Sequence, residues 1–299
     1  MRPAPIPSLD PGLAAQPGGP ASQPKRVIIS ADDFGLSEGV NEAVEQACRA
    51  GLLTTASLMV AGPAAADAVR RARRLPQLRV GLHLVVIEGP AVGPAPGLLD
   101  ADGQFPPDQL GLGIRYFFRP RVRRALAAEI RAQFAAFAAT GLRLDYANAH
   151  KHMHLHPTVG RLLLEAGAEH GLPAIRIPAE PPATMLVCGT AQRPGDRLIY
   201  AGTRVLRAQA RRAGVRTNDH AFGIAWSGHM TAERVVRLAA HLPPGVSEIY
   251  FHPASHRDAH LVRLMPDYEH EAELAALIDP EVRAAFSRAG AVQASYDAM

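Results

Sequence analysis

Short apolar runs alternate with amphipathic stretches along most of this chain, and that alternation leaves few folds open. Val27-Ile28-Ile29 is the first run, typical of a buried strand, and it stops at Ala31-Asp32-Asp33-Phe34-Gly35. A helix is predicted next, with Ser37 as N-cap, Val40, Ala43, Val44 and Ala47 on one face and Gly51 at its end. Thr54 to Val60 reads as a second strand, a helix opens at Pro63 and runs to about Arg74, and Leu78 to Leu84 is a third strand. Residues 88 to 120 interrupt the pattern with Gly, Pro and aromatics, a composition used for lids and binding loops. The alternation then resumes as a helix over Val122–Thr140, a strand over Leu142–Ala147, a helix over Thr158–His170 and a strand over Ala174–Ile177. After a second irregular stretch, 179–200, come helices near 201–213 and 231–241, a strand at 247–251 and a helical region at 269–288. Strands separated by helices pair in parallel, so the fold class is α/β, expected as a single-domain, irregular TIM-like (β/α) barrel. The rival is an open doubly wound sheet, weakened because no GxGxxG follows the first strand.

With 299 residues, 47% apolar and 20% charged, the chain can bury a real core. The formal charge of +4 rests mostly on arginine, and no basic run is interleaved with aromatics, so a nucleic-acid partner is not expected. Cys48 and Cys188 make neither a disulfide framework nor a CxxC pair, which fits the cytoplasm. No apolar run approaches the roughly 20 residues of a membrane span. Residues 1–24 are rich in Pro, Ala and Gly and have no signal-peptide core, so they are expected as a disordered leader before one barrel domain, 25–299.

In parallel α/β folds the chemistry sits at the C-terminal ends of the strands. Here those ends carry Asp32-Asp33, then Gly81-Leu82-His83-Leu84, then a histidine cluster from Asn148 to Pro157, and late in the chain Tyr250-Phe251-His252-Pro253. Two adjacent carboxylates repel unless a cation or proton intervenes, and one on a metal with the other free to take a proton would resolve that. The alternative is an Asp-Asp turn that caps the next helix. His83 taken alone reads as well as a hydrogen-bonded core residue. His150, His152, His154 and His156 alternate with period two, while His150 and His154 are also spaced i, i+4, so an extended or a helical segment could each pair two imidazoles. A fortuitous His-rich turn is the alternative. His252 could serve as a general acid, because imidazole titrates near neutral pH, or could simply fill a turn. Imidazole with carboxylate suits zinc, iron, nickel or cobalt, and magnesium tolerates it less well.

Together these segments resemble one family. Val27 to Ser37, Thr54 to Val60, Val80 to Leu84, the His150 cluster ending in His156-Pro157, and Glu248 to Pro253 are similar, in order, to the motifs of the YdjC-like carbohydrate deacetylases. Asn148-Ala149-His150-Lys151-His152-Met153-His154-Leu155-His156-Pro157, with Thr217-Asn218-Asp219 ahead of Phe222-Gly223, resembles the hopanoid-biosynthesis branch, HpnK. The resemblance implies an irregular TIM-like barrel and one divalent metal ion, Mg²⁺ or Zn²⁺, held by Asp33, His83 and His150. It implies Asp32 as general base and His252 as general acid. Asn148, where other members often have Asp, is expected with His152 and His154 to touch substrate or brace the ligands. The implied reaction removes the acetyl group from an N-acetylated amino sugar, in this branch an N-acetylglucosaminyl hopanoid. A lipid-linked substrate would suit the apolar segment Leu110 to Phe118, for which peripheral contact with the inner membrane and packing over the barrel mouth are the two readings. A homodimer is compatible with all of this. The competing functions are deacetylation of soluble chitooligosaccharides, a metal-dependent phosphoesterase, which usually needs two metals and more carboxylates, and a non-catalytic metal- or sugar-binding protein.

Overall fold

The computed structural model describes residues 23–190 and 194–299. The leader expected over residues 1–24 therefore lies, up to residue 22, outside the described residues. The first strand, β1 (Lys25–Phe34), is buried from Val27 onward, as its unbroken apolar run requires of a strand covered on both faces. Ser37 caps α1 (Glu38–Ala50) by accepting from the Val40 N–H, and the face carrying Val40, Ala43, Val44 and Ala47 is buried. β2 (Thr55–Leu58), α2 (Ala65–Ala72) and β3 (Arg79–Leu84) follow as two further βα steps.

The interruption at 88–120 holds more order than its composition predicts. A short hairpin of β4 (Gly89–Pro90) and β5 (Gln104–Phe105) leads into a helix, α3 (Gln109–Phe118), whose N-terminus is capped by Asp108. Gly111 and Gly113 lie inside α3 and hide it from propensity arguments. The barrel then continues through α4 (Pro120–Ala139), β6 (Leu144–Ala149), a 3₁₀ segment (His150–Leu155), α5 (Pro157–Glu169) and β7 (Ala174–Ile175). Residues 179–200 also contain helix: α6 (Pro182–Val187) and the start of α7 (Pro194–Arg212). β8 (Arg216–Thr217), β9 (His220–Phe222), α8 (Ala232–Ala240), β10 (Gly245–Phe251), α9 (Ala259–Leu264), α10 (His270–Ile278), α11 (Pro280–Arg288) and β11 (Val292–Gln293) complete the chain.

The sheet is parallel and runs in the order β8-β7-β6-β3-β2-β1-β10-β9, with β11 added beside β1. Its two end strands are consecutive in sequence. β8 pairs with β7, β9 pairs with β10, and the Ala221 N–H donates to Ala179 O, so one interrupted strand draws the edges together. Asn218 sits at the interruption and supplies what the backbone there lacks: its side chain bonds both N–H and O of Ile177 and the carbonyl of His220. The result is the irregular TIM-like barrel. No helix among the described residues is long and apolar enough to cross a membrane.

The barrel interior is filled from below by aromatics. Tyr296, in the last residues of the chain, stacks on Tyr146 with centroids 4.3 Å apart, and both are buried with Ile28 and Ala174. Gly81 makes this layer possible, since a Cβ there would lie 2.2 Å from the Tyr146 ring and 2.6 Å from its carbonyl oxygen. Gly81→Ala should cost about 3 kcal/mol through this overpacking, read as a lower urea midpoint. An unchanged midpoint would mean that the Tyr146 layer is not packed as described.

Candidate metal centre and active site

Asp32 and Asp33 are adjacent, and in a regular strand their side chains would point to opposite faces. The chain avoids this by placing Asp33 in the left-handed region, at φ 62°. The pairing of β1 with β2 shifts register at the same point, between Ala31 and Phe34. Such a conformation is strained for a non-glycine residue. It turns both carboxylates toward the cavity at the mouth of the barrel, where both contribute to the wall.

Asp33, His83 and His150 offer one carboxylate oxygen and two ring nitrogens within 4.8 Å of one another. His83 Nε2 and His150 Nδ1 lie 3.2 and 3.3 Å from Asp33 Oδ1, without the alignment of hydrogen bonds, so both Asp33 oxygens are buried and unpartnered. Buried polar atoms are normally satisfied, and this orphaned carboxylate beside two imidazoles fits a divalent cation. Three protein ligands leave coordination positions open. Burial would raise the Asp33 carboxyl, but the facing His150 and His83, as protonated imidazoles whose charge a bound cation would replace, outweigh it and hold the group well below the usual carboxylate range.

Asn148 sets the tautomer of His83. Its Nδ2 donates to Asp32 Oδ1 at 3.0 Å, and a carboxylate can only accept, so its Oδ1 faces His83 Nδ1 at 2.7 Å. His83 Nδ1 therefore keeps its proton, and a cation bound at Nε2 would displace only the Nε2 proton that Asp32 and Asp33 favour, a ligand orientation fixed from behind. β3 and β6 place the two residues directly opposite in register. Aspartate at 148 would set a second anion against Asp32.

Asp32 is held on every side. It accepts from Ser57 Oγ at 2.9 Å and from Asn148, and it meets Arg176 through Nη1 at 2.5 Å and Nη2 at 2.9 Å. Arg176 also donates to both oxygens of Glu248, each at 2.7 Å, and Glu248 is further held by Ser30 Oγ at 2.6 Å and Tyr296 OH at 2.5 Å. Burial alone would raise the Asp32 carboxyl; Arg176, with His83, brings it far below the ordinary range and keeps it ionised. Neither Arg176 nor Glu248 was among the residues singled out from sequence. Each is one charge in an otherwise apolar strand stretch, and period two from Ala174 and from Tyr250 would have turned both inward.

The histidine cluster does not share a face. Lys151 and His152 both adopt left-handed backbone, at φ 49° and 54°, and the rings fan out. His150 joins Asp33 and His83. His152 Nε2 meets Tyr250 OH at 3.0 Å on the cavity wall. His154 is buried away from the cavity, with Nε2 at 3.1 Å from Arg176 O. His156 packs edge-on to Tyr116 and Phe117. Burial, reinforced by Arg176, pushes His154 down to about 3, so the ring that meets the arginine's backbone is neutral, and it does not line the cavity. His252 has its backbone pinned at both ends, its N–H by Glu273 and its carbonyl by His270 Nδ1 at 2.6 Å. Its own Nδ1 is unpartnered on the cavity wall, with Tyr268 edge-on at 5.2 Å. Trp226 is buried in the core.

The cavity has a volume of about 810 Å³. Leu36, Met59, Phe105, Leu264 and Met265 supply apolar wall, and Glu88 and Lys151 form an ion pair at the rim.

At the C-terminal ends of the strands of this (β/α) barrel, one carboxylate and two imidazoles form a donor set that fits one divalent cation. The sequence profile described as YdjC-like protein matches residues 26–288, and the chain belongs to that family. A carbohydrate deacetylase of Mus musculus is 32% identical over 250 residues, covering 76% of this chain and 77% of the relative. A carbohydrate deacetylase of Brevibacillus brevis is 37% identical over 154 residues, which is 51% of this chain and 59% of the relative's length. Among solved structures, a protein of Enterococcus faecalis V583 named for cellobiose-phosphate cleavage superposes with a TM-score of 0.73 at 24% identity, covering 92% of this chain and 100% of that one; this is a likeness of fold.

Replacing Arg176 with methionine would leave Asp32 and Glu248 as uncompensated buried charges. The expected cost is roughly 3–5 kcal/mol, measured by urea unfolding at neutral pH. A loss below about 1 kcal/mol, the scale of an exposed ion pair, would contradict the network.

Proposed function

We propose that this protein is a metal-dependent hydrolase that removes the acetyl group from an N-acetylated amino sugar. The observation that carries the reading is the buried, unpartnered Asp33 carboxylate facing His83 and His150 on the wall of a sugar-sized cavity, with Asp32 and His252 beside it. The relatives named as carbohydrate deacetylases support it.

A divalent cation held by Asp33, His83 and His150, Mg²⁺ or Zn²⁺, would supply Lewis-acid polarisation of the amide carbonyl and of a water. The protein's own groups do the rest. Asp32, ionised and immobilised by Arg176, Ser57 and Asn148, accepts the proton of the attacking water. His252 gives a proton to the amine nitrogen as the C–N bond breaks. Burial lowers His252 below its ordinary value, against the opposing pull of Asp33 and Asp32. The imidazole is thus mainly neutral near pH 7, and its donating form grows as the pH falls. His152 and Tyr250 hold each other on the cavity wall, where a sugar hydroxyl would meet them.

The substrate we favour is a lipid-linked N-acetylglucosamine of the hopanoid type, as the motif version at 148–157 and 217–223 suggests. The apolar wall formed by Leu36, Met59, Leu264 and Met265 gives a sterol-like aglycone a surface to lie on. Cys48 and Cys188 are free and buried, which fits action in the cytoplasm.

Acetate release from N-acetylglucosaminyl bacteriohopanetetrol and from N,N′-diacetylchitobiose, before and after chelation and metal readdition, tests both levels. Release from the hopanoid, lost on chelation and restored by metal, is the expected result. Release from chitobiose alone removes the hopanoid assignment, and release from neither removes the deacetylase. Asp32→Asn should keep metal affinity and lose about 10²–10⁴ in turnover; an unaffected rate would remove Asp32 from the reaction. Turnover should rise as the pH is lowered from the alkaline side toward neutrality, and a rate that climbs with pH instead would exclude His252 as the proton donor.

A further inference from the structure

The surface beside the cavity mouth carries a feature that the proposed chemistry does not use. α3 exposes Leu110 (76%), Ile114 (52%), Phe117 (49%) and Phe118 (70%). Their spacing places them on one helical face, while Leu112 and Tyr116 are buried on the other. Tyr116 OH donates to Val86 O at 2.6 Å and locks the helix to the barrel, so the bare face is presented rigidly. Apolar side chains contiguous on an exposed helix mark an interaction surface.

The turn into α4 adds charge of one sign. Arg119, Arg121 and Arg124 are exposed, and Arg123 donates to Phe117 O. Among the described residues no carboxylate lies within ion-pairing distance of any of the four. They surround the N-terminus of a 20-residue helix with no acidic residue in its first turn and no side-chain cap. Cations are unfavourable there, because the helix dipole already places positive charge at that end. An anion outside the protein would relieve both the arginines and the uncapped N–H groups.

We infer that the α3–α4 elbow docks on an anionic lipid bilayer, with the phenylalanines entering the acyl boundary and the arginines among the headgroup phosphates. A second copy of this chain fits less well. A two-fold contact through this patch would set its arginines against their own equivalents, and Asp108, the exposed acid at the foot of α3, is already used as the α3 cap. The helix that carries the apolar face starts beside the cavity: Phe105 and Pro107 line the cavity just ahead of α3, and Gln109 Nε2 reaches the carbonyl of the rim residue Lys151. Docking therefore holds the mouth at the lipid surface. The inference rests on surface chemistry and stands whether or not the protein is a deacetylase.

Co-sedimentation of the full chain with vesicles tests it, using phosphatidylcholine alone and phosphatidylcholine mixed with phosphatidylglycerol, at low and high salt. Binding to the mixed vesicles, weakened by salt, is expected. The pair Phe117→Ser/Phe118→Ser should weaken it at least about tenfold, and Arg119→Gln/Arg121→Gln/Arg124→Gln about a hundredfold. All five positions are exposed, and an unchanged circular-dichroism melt would show that each variant folds. No binding, equal binding by the variants, or binding indifferent to phosphatidylglycerol would overturn the inference. So would a dimer, seen by sedimentation equilibrium, that the phenylalanine substitutions dissociate.

Discussion

The guanidinium of Arg176, buried between Asp32 and Glu248, is the interaction on which the rest of the centre depends. Burying an ion is costly unless it is paired and fully hydrogen-bonded, and this network meets that condition on each member. Ser30, Ser57, Asn148 and Tyr296 saturate the carboxylates, and His154 holds the arginine's own backbone. The column begins at the stacked tyrosines beneath the barrel and ends beside the Asp33–His83–His150 cluster, so Tyr296 braces, through Glu248 and Arg176, the carboxylate of Asp32. Asp32, Asp33 and Glu248 against Arg176 leave two negative charges to be met by charge on the facing imidazoles or by a divalent cation in its place.

Much of the site was legible in the sequence because it obeys a topological rule. Asp32-Asp33, His83, His150 and His252 all end apolar strand runs, and a parallel barrel gathers such ends at one mouth. The pairing of β1 with β2 and β10, and of β3 with β6, brings them there. The family resemblance rested on those same segments, and the profile match confirms it.

What stayed hidden was set by geometry that periodicity does not encode. The histidines alternate as a strand would, yet two left-handed residues send their rings to four destinations. Arg176 and Glu248 are the exception: period two turned both inward, but a single charge in an apolar stretch reads as a surface residue until its buried partner is known. The closing strand itself escaped notice, because it is split at Asn218 and each half is only two or three residues long. α3 escaped because Pro106, Pro107, Gly111 and Gly113 read as loop, although Tyr116 and the Asp108 cap hold a helix there.

The central claim is that Asp33, His83 and His150 form a metal site prepared by the network beneath it. An anomalous-scattering map from crystals of the protein grown with zinc tests it most directly. The account predicts one ion touching Asp33, His83 Nε2 and His150 Nδ1, with the Arg176 network undisturbed, and none in Asp33→Ala. An ion bound elsewhere, or the same occupancy in Asp33→Ala, would contradict it.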